Sequence, residues 1–249
     1  MPKLTNKIAL VTGASRGIGR ASALALANEG AHVIAHYNSA GEAARALVNE
    51  IRNMGGKAEA VGADLAAADG AHKLAAKVRE IAGKKLDIIV ANAGIAKEAT
   101  IAELTVDEFD RLFAVNVRAP YFLVQQLLPL LTEGSSIIMV SSLAARTAFG
   151  NLSAYSATKG AISTLIKHFA VALGANGIRV NGIAPGVIDT DMSSSYTRTE
   201  EGREAALSVQ SLKRIGNPDD VGPVVVFLAS DDARWVTGDI LEVSGGSKL

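Results

Sequence analysis

Residues 8–19 read Ile8-Ala-Leu-Val-Thr-Gly-Ala-Ser-Arg-Gly-Ile-Gly19, and this stretch decides the fold. An unbroken apolar run passes into a turn whose glycines fall at 13, 17 and 19. The run predicts a strand over 8–12 that is buried on both faces. The pattern behind the turn predicts a helix over 17–28. Glycine lets the chain turn sharply and brings backbone close to a bound group. The helix start offers free N–H groups and the positive end of a dipole. Strand, glycine turn and helix in that order make a cradle for a pyrophosphate. A glycine-rich helix cap without a ligand is the plainer alternative.

The same alternation runs along the chain. Apolar runs predict further strands over 32–36, 58–63, 86–91, 136–141, 179–184 and 240–243. Amphipathic patterns predict helices over 41–54, 69–82, 106–131, 153–173 and 218–229. Gly30, Gly55-Gly56 and Gly174 stand where helix C-caps belong, and Pro218 stands in a first turn. Pro120 and Pro129 predict a kink or break in the 106–131 helix. The alternation implies right-handed crossovers. The expected fold is α/β: a single domain over 1–249 with a doubly wound, seven-stranded parallel sheet and helices on both faces. Segment 187–211 is polar, lacks clear periodicity and follows the sixth strand. It reads as a lid over a pocket or as a surface insertion.

Composition removes several classes. Of 249 residues, 49% are hydrophobic and 20% charged, which suits a globular chain with a large core. Lys plus Arg equals Asp plus Glu at 25 each, so nothing favours nucleic acid or an anionic membrane. There is no cysteine, which excludes thiolate nucleophiles and Cys-ligated zinc. The histidines at 32, 36, 72 and 168 lack ligand spacing, so no metal is expected. No signal core or membrane-length apolar run is evident, and a soluble, cytoplasmic protein is expected.

A second constellation is Ser153-Ala-Tyr-Ser-Ala-Thr-Lys159. Tyr155 and Lys159 fall four apart, on one helix face. At about 4 Å and an effective dielectric of about 20, the ammonium favours the phenolate by about 4 kcal/mol. That would draw the phenol from near pH ~10 toward neutrality, where a proton donor works best. A solvated helix face is the plain reading of the pair by itself.

The end of the second strand, Ile34-Ala-His-Tyr-Asn-Ser39, carries no acid that would bind ribose hydroxyls and repel a 2′-phosphate. Arg16 could reach such a phosphate, with Asn38 and Ser39 as neutral donors. This predicts NADP(H) over NAD(H), with NAD(H) still possible. A mere surface charge is the alternative for Arg16.

End to end, the chain resembles the short-chain dehydrogenase/reductase family. Residues 12–19 resemble its TGxxxGxG signature. Asn92-Ala-Gly94 resembles its NNAG run, with Ala91 in place of the first Asn. Ser142 precedes Tyr155 by the family's spacing, and Pro185-Gly186 and Thr190 follow the sixth strand. Arg214-Ile-Gly, Pro218-Asp-Asp and Thr237-Gly238 resemble its closing segment, where Ser244 replaces the usual acid.

The resemblance implies a Rossmann fold and a ketone/alcohol oxidoreductase. It implies that Gly13, Ser15, Arg16, Gly17, Ile18 and Gly19 bind cofactor, with Tyr37, Asn38 and Ser39. Asp64 would meet the adenine amino group beside Leu65, and Asn92, Ala93 and Gly94 would follow. Pro185, Gly186, Val187, Ile188 and Thr190 would line the nicotinamide side. Tyr155 would be the proton donor in reduction. Lys159 would lower its pKa and hold the nicotinamide ribose. Ser142 would hydrogen-bond the substrate oxygen, and Asn116 would position a water linking Lys159 to solvent. Leu143, Ala144, Phe149, Leu152, Gly186 and Val187, beside Ser142, would wall the substrate pocket.

Ile188-Asp-Thr-Asp-Met192 resembles the 3-oxoacyl-[acyl-carrier-protein] reductase branch. That branch carries bases before strand five and after the Tyr/Lys helix, to meet an acidic acyl carrier protein. Here Leu130-Leu-Thr-Glu-Gly134 is acidic and Gly174-Ala-Asn-Gly177 neutral. A reductase of small, polyol-derived or cyclic ketones is an equal reading. A non-catalytic NADP(H) sensor and a purely structural subunit are the competing classes. Family members commonly form homotetramers. Leu123, Val124, Leu127 and Leu128, with Ile162, Leu165, Ile166 and Phe169, look too numerous for one core face, which predicts a homo-oligomer. Helices sandwiched within one chain are the alternative.

Overall fold

The computed structural model describes residues 2–248. Seven parallel strands form one sheet in the order β3-β2-β1-β4-β5-β6-β7. They are β1 (Ile8–Val11), β2 (His32–Tyr37), β3 (Lys57–Gly62), β4 (Ile88–Ala91), β5 (Ser136–Val140), β6 (Arg179–Pro185) and β7 (Ile240–Val243). Strand order reverses between β1 and β4, which opens a crevice at their carboxyl ends.

Consecutive residues of each strand feed two separate cores, which is why the strands read as unbroken apolar runs. Ala9 and Val11, Val33 and Ala35, and Ile138 and Val140 point into one core. It is closed by α1 (Gly17–Asn28), α2 (Gly41–Asn53) and α9 (Pro218–Ala229). Leu10, Ile34, Ile89, Ile137 and Met139 point into the other. That core is closed by α3 (Gly70–Ala82), α5 (Ala119–Leu127) and α6 (Ser153–Gly174). No helix among the described residues is long and apolar enough to cross a membrane.

Two expectations gain detail and one is corrected. First, the helix over 106–131 is broken, as its prolines predict. Its residues form α4 (Val106–Phe113), a π-helical turn (Ala114–Arg118), α5 and a 3-10 turn (Leu128–Leu130). The break precedes Pro120. The Ala119 N–H bonds five residues back, to Ala114 O. Pro120 has no N–H to give, so the carbonyls of Val115 and Asn116 lose their ordinary helical donors.

Second, the apolar residues offered for an interface are mostly spent inside the chain. Leu123, Val124, Leu127, Ile162 and Ile166 are buried in the second core, with Leu128, Leu165 and Phe169 packed against it. A helix that covers a sheet edge to edge needs a wider apolar stripe than a surface helix, and the sheet supplies the partner.

Third, segment 187–211 is largely helical. A 3-10 turn (Asp191–Ser193) leads to α7 (Ser194–Thr197) and α8 (Glu200–Ser208). Both helices are too short and polar to show periodicity. Their order comes from caps: Ser193 Oγ donates to Ile188 O, and Thr199 Oγ1 accepts from Gly202 N–H.

Candidate active site

The glycine turn requires its glycines. Gly13 and Gly17 adopt φ of 66° and 55°. A Cβ on Gly19 would lie 2.2 Å from the Gly13 carbonyl oxygen. No side chain caps α1, so its first N–H groups face the cleft unpaired.

Thr12 and His36, outside the site expected from sequence, hold this turn in place together with Asn92. Thr12 Oγ1 accepts from the N–H groups of Asn92 (3.0 Å) and Ala93 (2.9 Å). Asn92 Nδ2 donates back to the carbonyls of Thr12 (2.8 Å) and Gly13 (3.2 Å). The Asn92 amide donors are therefore committed to the turn's backbone, and its side chain shapes the cradle. His36 is buried; its Nδ1 accepts from Gly13 N–H at 3.2 Å and its Nε2 donates to Ala63 O at 3.0 Å. Burial holds its pKa down to about 4, so the ring is neutral and the tautomer follows from the two partners. The sequence signal for both was visible: a hydroxyl opening the turn, and a polar residue inside an apolar strand.

At the end of β2, Tyr37 wedges between Gly41 and Gly62, where an added Cβ would meet its ring at 3.1 and 3.0 Å. Beside it an open cleft of about 590 Å³ is lined by residues 39–43 and Arg45. Asn38, Ser39 and Asp64 are exposed at this end. Asp64 Oδ1 accepts from Ala66 N–H, while Leu65 is buried. The cleft pairs an uncapped helix start at α2 with one base, Arg45, and one acid, Glu42. Arg45 was not among the expected residues.

The Arg16 guanidinium lies 3.5 Å from Asp191, which also lies 3.5 Å from Arg198. All three side chains are exposed, so these pairs are weak and a phosphate could displace them. Thr190 also closes on the turn, its methyl 3.3 Å from where a Gly17 Cβ would stand. The start of segment 187–211 thus rests on the glycine turn.

Ser142, Tyr155, Lys159 and Asn116 come together from three elements at the carboxyl ends of β4 and β5. Ser142 follows β5, its Oγ accepts from Ala144 N–H at 3.1 Å, and it lies near enough to the Tyr155 phenol to favour the phenolate. Tyr155 opens α6, and Lys159 sits one turn on, its Nζ 5.6 Å from the Tyr155 ring centre. Asn116, in the π-helical turn, donates to Ile95 O (2.9 Å) and Thr158 Oγ1 (3.0 Å) and accepts from Ile95 N–H (2.9 Å). Thr158 in turn donates to Tyr155 O at 2.6 Å, tying the π-helical turn to the catalytic helix. A Cβ on Gly94 would lie 3.4 Å from Asn116 Oδ1 and 3.6 Å from Lys159 Nζ.

The electrostatics depart from expectation. Burial pushes the Tyr155 phenol up, and the nearby Ser142 hydroxyl offsets only part of this. The Lys159 ammonium donates to Val140 O at 2.7 Å. Burial lowers Lys159 itself to about 8.

Two expected pocket walls do not face a cavity. Leu143 and Ala144 are only 1% and 6% exposed, because the 3-10 turn after Ser142 rolls them inward. The Ile188 side chain is likewise buried, against Gly216. Phe149, Leu152, Gly186 and Val187 keep partial exposure, while Pro185 is buried at the end of β6.

A family model described as enoyl-(acyl carrier protein) reductase matches residues 13–248. Versicolorin reductase stcU of Emericella nidulans is 41% identical, over 98% of this chain and 97% of that protein. The solved angucycline C-6 ketoreductase LanV with bound NADP is 40% identical, with a TM-score of 0.93, over 99% of this chain and 97% of that one. A short chain dehydrogenase from Burkholderia cenocepacia J2315 in complex with NADP is 36% identical, with a TM-score of 0.94, over 99% of this chain and all (100%) of that one. With a match of this extent over the same fold, the chain belongs to the short-chain dehydrogenase/reductase family of oxidoreductases.

Proposed function

We propose that the protein is an NADP(H)-dependent ketoreductase that interconverts a cyclic or polycyclic ketone and its secondary alcohol. The observation that carries this is the gathering of Ser142, Tyr155, Lys159 and Asn116 at one end of the sheet, with Lys159 Nζ 5.6 Å from the Tyr155 ring centre and Asn116 bonded to Thr158 of the same helix. The cradle fits a dinucleotide: its glycines leave room for a pyrophosphate, and the α1 N–H groups are free. The absence of an acid at the end of β2, with Arg16, Ser39 and Arg45 nearby, favours the 2′-phosphorylated form. When bound, the nicotinamide supplies the hydride.

The chain's own residues do the rest. Ser142 orients the substrate oxygen beside the phenol and steadies the charge that develops there. Tyr155 gives its proton to that oxygen in reduction. Lys159 holds a positive charge under the site and the proton that replaces it. The Asn116 carbonyl, freed by Pro120, holds a water that continues the relay to solvent. With this tetrad intact, catalysis is favoured over a sensor or a structural subunit.

A cyclic ketone is favoured over an acyl-carrier thioester because the two stretches where the branch carries its bases have none here. Residues 130–134 and 174–177 meet side by side, Gly134 N–H on Gly177 O at 3.0 Å, and their only charge is Glu133. Relatives named for versicolorin and angucycline reduction support the same reading. The test is NADPH consumption with cyclic and polycyclic ketones beside a 3-oxoacyl thioester, with Tyr155→Phe as the blank. Tyr155→Phe should keep less than about a tenth of the activity while binding NADPH normally. Turnover of the thioester alone would reverse the substrate assignment, and equal Michaelis constants for NADH and NADPH would remove the cofactor preference.

The proposed assembly is a homotetramer. Trp235 is 97% and Val171 85% exposed. Ala170 packs against Gly238, so the end of α6 adjoins the turn that carries Trp235. Two large apolar side chains on one face favour burial by a second copy. Sedimentation at the mass of one chain would refute it.

A further inference from the structure

Segment 244–248, which follows β7, ties together two pieces of the substrate side that lie far apart in sequence. On one side is the end of segment 187–211. Leu212 N–H donates to Gly245 O (2.9 Å), Ser211 N–H to Gly246 O (3.2 Å) and Lys248 N–H to Val209 O (2.9 Å). On the other side is the loop between Ser142 and α6. Arg146 pairs with Glu242 on β7 and reaches the carbonyls of Ser247 and Lys248, each at 3.4 Å.

Lys248 joins the two sides by itself. Its Nζ donates to Ala148 O at 2.7 Å and lies 4.1 Å from the centre of the Phe149 ring. That is a cation–π contact and a charge-assisted hydrogen bond on adjacent residues of one loop. Its backbone adopts φ of 51°, a conformation that costs a side-chain-bearing residue energy and persists only where surrounding contacts hold it. Phe149 is followed directly by the turn into α6, six residues before Tyr155. Phe149 is one of the walls expected of the substrate pocket, so whatever fixes Phe149 would fix that wall.

We propose that Lys248 is a specificity-determining positioning residue, a clasp that joins the Phe149 loop to the end of segment 187–211 and sets the width of the carbonyl pocket. This rests on the ketoreductase reading above. A clasped wall touches a small ketone; an open one loses that contact and still accepts a bulky ring system.

The experiment compares the wild type with Lys248→Ala, Lys248→Gly and Lys248→Arg, using one monocyclic and one polycyclic ketone. For Ala and Gly, the KM of the monocyclic ketone should rise about three- to tenfold, as loss of a cation–π contact and one charged hydrogen bond would give. The KM values for the polycyclic ketone and for NADPH should stay within about twofold, since neither depends on this wall. Arg should restore the wild-type ratio, because it keeps both contacts. Amide hydrogen exchange at 146–149 and 209–212 should quicken in Ala and Gly but not in Arg. A change in Ala that Gly lacks would mean backbone strain, not the side chain, and would overturn the proposal. So would an unchanged ratio of the two ketones, whatever the exchange does. If the wild type consumes NADPH with no ketone, the ketoreductase reading fails, and hydrogen exchange alone decides whether the clasp exists.

Discussion

The ammonium of Lys159 donates to the carbonyl oxygen of Val140 at 2.7 Å. This bond anchors Lys159 to the end of β5, the strand that also delivers Ser142. It explains how a buried cation stays in place one turn from Tyr155. Burial nonetheless brings Lys159 to about 8, inside the working range of an enzyme. In reduction Lys159 acts protonated, so kcat/KM should fall as pH rises through about 8. A profile from pH 6 to 10 that stays flat above 8 would contradict this. Folding runs the other way. The unfolded lysine holds its proton to about 10.5, so this group makes stability rise between about 8 and 10.5.

His36 makes the opposite end of the range matter. Its folded pKa is about 4 against 6.5 when unfolded, so below 6.5 the unfolded chain binds the proton that the native state refuses. Stability should fall as pH drops from 6.5 toward 4, by about 3 kcal/mol at full extent. Urea unfolding at pH 7 and pH 4.5 should show a difference smaller by about 2 kcal/mol in His36→Asn than in the wild type. An equal difference in both proteins would mean that His36 is not the acid-sensitive group.

Thr12 carries two backbone donors on one oxygen. Thr12→Val keeps the shape and strands the Ala93 N–H, while the Asn92 N–H keeps its bond to Val90 O at 3.0 Å. The expected loss is about 1 kcal/mol or more of stability, together with weaker NADPH binding as the turn loosens. Thr12→Ser should recover most of each. Fluorescence titration of NADPH with the three proteins checks it, and unaltered affinity in the Val variant would remove Thr12 from the cradle.

Asp87 is 3% exposed, accepts from Ile8 N–H at 3.0 Å and faces Lys85 at 2.7 Å and Lys7 at 3.5 Å. Asp87→Asn keeps the backbone bond and loses only the charge. Both lysines can rehydrate, so the cost should be about 1–2 kcal/mol. Asp87→Ala also strands the Ile8 N–H and should cost clearly more. Denaturation midpoints of the two variants separate these contributions; equal midpoints would show that the backbone bond contributes nothing.

The sequence determined the fold and the motifs that mark the candidate site by itself, because both rest on short-range rules. Doubly buried strands must be apolar at consecutive positions, and a pyrophosphate turn must have glycine where backbone bends left-handed or touches backbone. A helix places residues four apart on one face, so Tyr155 and Lys159 were paired before any coordinates. Tertiary structure alone decided what depends on distant partners. That the Lys159 ammonium donates to Val140 O depends on where β5 ends against α6. Whether Leu123 and Ile166 face a partner or the sheet depends on how much of each helix the sheet covers. The break at residues 114–118 needed both the proline and the Asn116 contacts to Ile95 and Thr158. Lys248 meets Phe149 across about a hundred residues of chain, and no local pattern encodes that meeting. Propensity and periodicity act over a few residues, whereas a titrating group's environment and a pocket's outer wall are set by whatever the completed fold brings alongside.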